Sequence, residues 1–183
     1  MAKVYVFMAD GFEDTEFTAP VDLLRRAGND VVTVSIMGRT DVLGAHGIRM
    51  MADRLFDGKE LTDGDCYILP GGGEGTANLN KCAPLRALLR KRFADGAHIA
   101  AICAAPSVLA GIGMLEGRKA ICYPGMEDCL TGADVITVPA VTDGNVTTGR
   151  GPGAAIDFGL ELISVLNGAE KASEIKEAFV YKA

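Results

Sequence analysis

Short β-branched runs at residues 4–8, 30–36, 66–69 and 99–102 alternate with stretches of helical periodicity at 14–26 and 79–92. Strands that alternate with helices predict a parallel sheet, because each crossover must carry the chain back to the edge where the previous strand began. In the first helical stretch Phe17, Val21 and Leu24 recur at i, i+4 and i+7, and Gly28 stands just past its end as a C-cap. That helix covers one face of the sheet. Between residues 41 and 54, short extended stretches around Gly44 and Gly47 read as a hairpin excursion from the main sheet. The second half predicts a helix over 105–111, a strand over 120–123 and paired strands within 135–148 turned by Asp143-Gly144-Asn145. A long helix follows over 153–166, with Ile156, Leu160 and Ile163 on one face. It stops at Asn167-Gly168 and hands over to a short helix from Ala169. No repeat, linker or low-complexity segment interrupts the pattern, so residues 1–183 are expected to form one domain.

Composition narrows the classes of function. The chain has 183 residues, enough to bury a core without disulfides or a structural metal. No apolar run approaches the roughly 20 residues of a membrane span, and residues 1–8 do not read as a signal peptide, so a cytoplasmic protein is expected. A formal charge of −6 with no Lys/Arg cluster opposes nucleic-acid binding. Small molecules and proteins remain as partners. The five cysteines, Cys66, Cys82, Cys103, Cys122 and Cys129, include no C-x-x-C pair, and the histidines are His46 and His98 alone. Neither a zinc ribbon nor a thioredoxin-type centre fits, and no metal or cofactor is expected.

In an open parallel sheet, ligands bind beyond the carboxyl ends of the strands. Four turns there stand out: residues 9–16, Pro70-Gly71-Gly72-Gly73, Cys103-Ala104-Ala105-Pro106 and Arg150-Gly151-Pro152-Gly153. Cys103 follows a buried strand directly, and the small residues after it permit a sharp reversal into a helix. A thiol there meets unpaired N–H groups and the positive end of a helix dipole, which predicts a pKa below the free value of about 8.5. The competing reading is a small apolar filler at a strand end. Cys66, Cys82 and Cys122 are explained by packing, and Cys129 reads as exposed. Gly71, Gly72 and Ala104 are placed to bring backbone N–H groups to an oxyanion. Glu13 and Asp14 suit the positive end of the first helix, whereas Glu16, beside Phe17, can lean over the sheet edge towards Cys103 with its pKa raised by partial burial. His98 begins the strand that Cys103 ends, about 16 Å away, and cannot serve the thiol. His46 reads as a surface residue, and Met50-Met51 as packing.

Taken together, Gly11 through Glu16 to Pro20, Leu69-Pro70-Gly71-Gly72, Ala100-Ala101-Ile102-Cys103-Ala104 and Arg150-Gly151-Pro152-Gly153 resemble the ThiJ/PfpI superfamily, and within it the branch of the Parkinson disease protein and the YajL proteins. The resemblance spans nearly the whole chain. It implies a flavodoxin-like, doubly wound α/β fold with a mostly parallel sheet, helices on both faces and kinship to class I glutamine amidotransferases. It also implies a homodimer, an oxidation-sensitive Cys103 on an elbow, and an acid, Glu16, hydrogen-bonded to it. Two departures qualify it. Tyr123 stands where many members have a histidine, which disfavours a Cys-His-acid triad, and Ala105 replaces the usual glycine. Tyr123 and Arg150 are expected to line the site. The activity implied is a cofactor-free glyoxalase or deglycase acting on methylglyoxal, glyoxal or their early adducts. The alternative is a redox sensor or holdase chaperone that uses the same cysteine without turnover.

Overall fold

Val4, Val6 and Met8 face one side of the first strand and Tyr5, Phe7 and Ala9 the other, and all six are buried. A strand that is apolar on both faces requires a layer of structure on each. The computed structural model describes residues 1–58 and 61–182 and shows that arrangement. The elements in chain order are β1 (Lys3–Met8), α1 (Asp14–Arg26), β2 (Asp30–Ser35), β3 (Asp41–Leu43), β4 (Arg49–Met51), β5 (Arg54–Leu55), β6 (Cys66–Leu69), α2 (Gly73–Lys81), α3 (Ala83–Ala94), β7 (His98–Ile102), α4 (Pro106–Ala110), β8 (Lys119–Ala120), β9 (Asp134–Val135), β10 (Ala140–Asp143), β11 (Val146–Gly149), α5 (Ala155–Asn167) and α6 (Ala169–Ala178). The main sheet runs β10-β11-β7-β6-β1-β2-β5. Its pairings are parallel except at the β10 edge, which is antiparallel.

Phe17 and Leu24 of α1, Phe158 and Leu162 of α5 and Ile175 of α6 pack on one face, while Leu79 of α2, Leu85 and Leu89 of α3 and Leu109 of α4 pack on the other. The fold is therefore mixed α/β and doubly wound, as the sequence predicts. The strand order reverses between β1 and β6, so α1 and α2 leave neighbouring strands towards opposite faces and open a crevice at their carboxyl ends. No helix among the described residues is long and apolar enough to cross a membrane.

Several elements differ from the sequence pattern. The helix expected over 79–92 is two helices, and the first begins directly after the glycine turn. They break at Cys82, whose ψ of 89° is not helical and which precedes α3 with Pro84 in its first turn. The hairpin excursion exists as the separate β3–β4 ribbon, but the chain then returns as β5 to pair with β2. Of the strand expected over 120–123 only Ala120 is in a strand; with Lys119 before it, it pairs with Asp134 and Val135 in a small second ribbon. The final helix starts with a 3₁₀ turn over Pro152–Ala154.

Glycine permits the two helix N-termini at the crevice to touch through their backbones. Gly72 has φ of 88°, and a Cβ there would lie 2.2 Å from Gly11 O and 2.7 Å from Glu13 N. Gly72→Ala combines a disfavoured φ with a clash against main chain that has no room to yield. It is expected to cost roughly 3 kcal/mol of unfolding free energy in urea denaturation. A loss below about 0.5 kcal/mol would mean that the two turns are not rigidly joined.

Candidate active site

Cys103 follows the last residue of β7 and has φ of 65°, a left-handed conformation that is uncommon for a residue with a side chain. Three hydrogen bonds hold the turn. Cys103 N–H donates to Gly149 O of β11 at 2.9 Å, Tyr123 N–H donates to Cys103 O at 2.9 Å, and Ala105 N–H donates to Ile102 O at 3.1 Å. Ala105 itself has ordinary helical dihedrals and is fully buried, so the methyl group that replaces the family's glycine is accommodated without strain.

Glu16 reaches the thiol from α1. Its side chain is fully buried, and Oε2 accepts the Gly71 N–H at 2.9 Å. Oε1 has no hydrogen-bond partner among the described residues, and the neighbouring Cys103 thiol is the side chain that draws the carboxyl pKa down against burial. Glu13 N–H returns a bond to Gly71 O at 3.1 Å, so the glycine turn and the start of α1 are tied in both directions. A Cβ on Gly71 would lie 2.4 Å from Glu16 Oε2 and 2.7 Å from Cys103 Cβ. Only glycine lets the carboxyl and the thiol meet across this position.

The electrostatics correct two expectations. Burial, followed by the charge and hydrogen bond of Glu16, pushes the Cys103 thiol up to about 12, against the weaker opposing pull of the Gly72 and Ala104 N–H groups. The helix dipole alone predicts the opposite sign, and burial together with the neighbouring acid outweighs it. α4 is only five residues long and supplies little dipole. Burial raises Glu16 to about 7, with the Cys103 and Gly71 hydrogen bonds opposing and the Glu13 charge adding slightly. Each group opposes ionisation of the other, so the pair carries at most one negative charge near neutral pH. The second correction concerns Gly71: its N–H is committed to Glu16, which leaves Gly72 and Ala104 as the available backbone donors.

The thiol opens on a cleft of about 600 Å³ lined by Glu13, His46, Gly72, Cys103, Tyr123 and Met126 among others. Tyr123 lines it as expected. Arg150 does not, and lines an adjoining depression of about 290 Å³ that shares Tyr123 and Pro152 with the cleft. Glu13 and His46 are cleft residues that the sequence reading assigned elsewhere. His46 Nε2 lies 3.2 Å from Glu13 Oε2, and His46 N–H donates to Asp14 Oδ2 at 3.1 Å. The β3–β4 hairpin brings this histidine over α1, with Ala45 N–H donating to Phe12 O and Gly11 N–H to Leu43 O. A capping-acid pattern followed by a distant glycine-flanked histidine carries no sequence signal for that contact. Donor atoms of Glu13, Asp14 and His46 lie within 4.8 Å of one another. A cation there would have to displace the contacts that His46 already makes. His98 is remote from the thiol, at the other end of β7. It hydrogen-bonds Thr147 Oγ1 at 2.7 Å, and burial pulls its pKa down to about 4.

The DJ-1/PfpI family profile matches residues 2–165. A DJ-1 homolog B of Arabidopsis thaliana is 39% identical over 98% of this chain, which spans 42% of that longer relative. A protein of Thermococcus kodakarensis named a deglycase is 34% identical over 90% of this chain and 99% of its own. Among solved structures, oxidized Toxoplasma gondii DJ-1 superposes with a TM-score of 0.95 at 35% identity, with both chains fully covered.

Burial of Glu16 makes stability depend on pH. Its folded pKa of about 7 exceeds the ordinary 4.5, so its contribution is complete below 4.5 and is lost as pH rises through 7, by about 3 kcal/mol. His98, lowered to about 4 from 6.5, works in the opposite direction and loses its contribution as pH falls. The two slopes offset each other between pH 4.5 and 6.5 in the parent. The stability of the parent relative to Glu16→Gln should therefore fall by about 3 kcal/mol from pH 4.5 to 7.5 in denaturant titrations. Parallel curves would show that Glu16 is not held as an uncharged acid.

Proposed function

The chain belongs to the DJ-1/PfpI family, and from that membership and the Cys103–Glu16 pair we propose that it is a cysteine-dependent, cofactor-free glyoxalase or deglycase-type enzyme. Its substrates are methylglyoxal, glyoxal or their early adducts with amines. The observation that carries this reading is a thiol facing a cleft of about 600 Å³ with a buried carboxyl of pKa about 7 behind it. A base poised near the working pH is what a thiol held protonated requires. The likeness to a protein named a deglycase, nearly full length on both sides, supports the same conclusion.

Ionised Glu16 takes the thiol proton as sulfur adds to the aldehyde carbon. The C–S bond forms, the carbonyl π bond breaks, and the N–H groups of Gly72 and Ala104 hold the resulting oxyanion until Glu16 returns the proton. The hydrogen on that carbon is then removed as a proton and delivered to the neighbouring carbonyl carbon through the enediol. The first carbon is oxidised to a thioester and the second reduced to an alcohol, so no outside electrons are needed. Water cleaves the thioester, freeing the thiol and a 2-hydroxy acid. With an early adduct, sulfur displaces the amine at the same carbon.

Incubation with methylglyoxal and quantification of lactate tests this reading. Cys103→Ser should give none above background, since a hydroxyl is too weak an acid to replace the thiol here. Glu16→Gln should lower turnover by roughly 10²–10⁴-fold. Lactate from the serine variant would remove Cys103 from the mechanism. A redox-sensing or holdase role without turnover has one observation in its favour, the oxidized state named for a similar solved structure. Its signature would be oxygen uptake at Cys103 in a parent that makes no lactate.

The homodimer implied by the resemblance belongs to the same proposal, and an exposed Met51 (72%) on β4, beside a groove lined by Phe17, Val21, Met50 and the charged Asp22, Arg25 and Asp53, supports a contact face there. Light scattering at micromolar concentration should report twice the chain mass of 19.1 kDa. A 19.1 kDa species would overturn the dimer.

A further inference from the structure

The walls of the Cys103 cleft carry charge of one sign. Glu13 is the carboxylate among the lining residues, and neither lysine nor arginine lines the cleft among the described residues. Glu16 adds a second negative charge immediately behind the thiol once it ionises. Arg150 sits in the adjoining depression, and Tyr123 and Pro152 stand between the two. Arg39 is committed to Asp10 at 2.6 Å and Arg49 to Asp41 at 3.1 Å. Among the described residues that line the cleft in one chain, His46 is the one that can carry a positive charge; it lies 3.2 Å from Glu13, and a single charge can neutralise only one of the two carboxylates.

The Glu13 side chain is 16% exposed, and its carboxylate has two contacts: Oε2 lies 3.2 Å from His46 Nε2 and Oε1 accepts the Thr15 hydroxyl at 3.4 Å. A carboxylate in the cleft wall acts on charged molecules approaching the sulfur. Clefts of one sign with low-dielectric walls change the local concentration of charged ligands by about tenfold or more.

We propose that Glu13 makes this site selective by charge, admitting neutral and cationic carbonyl compounds, among them dicarbonyl adducts of amines, and turning away aldehydes that bear a carboxylate or a phosphate. The inference deepens the reading of Cys103 as a carbonyl-attacking nucleophile and rests on it. It also accounts for product departure. A neutral dicarbonyl enters, and the hydroxy acid formed on the sulfur gains a negative charge when the thioester is hydrolysed. The field that admits the substrate then expels the product.

The test uses three methanethiosulfonate reagents that differ in charge: methyl, trimethylammonioethyl and sulfonatoethyl. Each rate at Cys103 is read by peptide mass spectrometry at pH 8 and divided by the rate with a small free thiol. The cationic reagent should exceed the anionic one by about tenfold in the parent, and the ratio should shrink in 0.5 M salt. Glu13→Gln should bring it down to about twofold or threefold. A parent ratio near one or favouring the anion, as Arg150 would produce if it governed entry, overturns the proposal, and so does a ratio that Glu13→Gln leaves unchanged. A parallel arm measures kcat/KM for phenylglyoxal and its 4-carboxy and 4-trimethylammonio derivatives, with the same order expected. If reagent selectivity holds while neither these three nor methylglyoxal is turned over, charge selection stands and the glyoxalase reading falls.

Discussion

Two acids share one buried corner of this protein, the Glu16 carboxyl and the Cys103 thiol, with Gly71 between them. Burial disfavours the charged form of both, and each opposes ionisation of the other. The corner therefore admits one negative charge, and the protein supplies three N–H groups for it: Gly71 on the carboxyl, Gly72 and Ala104 at the sulfur. That arrangement raises both groups above their ordinary values and leaves a single proton to be shared between them. A lone cysteine at a strong helix N-terminus would instead rest as an exposed thiolate, open to any oxidant.

The scaffold around the pair is dictated by this closeness. β1 and β6 are neighbours whose helices leave to opposite faces, so their carboxyl-end turns converge at the switch point. Gly11, Gly72 and Gly75 let those turns touch main chain to main chain. The strained backbone at Cys103 is held by its bond to Gly149 of the adjoining strand and by the Tyr123 N–H. Strain of this kind persists only where surrounding bonds over-determine it, and here they come from two other segments of the chain and from the turn itself.

Function at the cleft follows from the same geometry at longer range. The start of α1 delivers Glu16 inward to the thiol and Glu13 outward to the cleft wall, three residues apart on one helix end. In the proposed reaction the inner carboxyl moves the proton, and in the proposed charge selection the outer one sets the charge of the entrance. The β3–β4 hairpin lays His46 over the outer one.

The order of strands and helices, the two-faced core and the approach of Glu16 to Cys103 were legible in the sequence, because each is written in local periodicity or in a short motif at a strand end. The boundary at Cys82 was less so, since Pro84 allows a helix to begin before it as readily as it ends one. The sign of the Cys103 shift, the commitment of the Gly71 N–H, the exclusion of Arg150 from the cleft and the meeting of His46 with Glu13 were decided by tertiary structure. Each depends on distances between segments tens of residues apart and on how much water remains between them. Sequence fixes which groups are present at a turn, but the dielectric around them and the partner that claims each hydrogen bond exist only once the turns have converged.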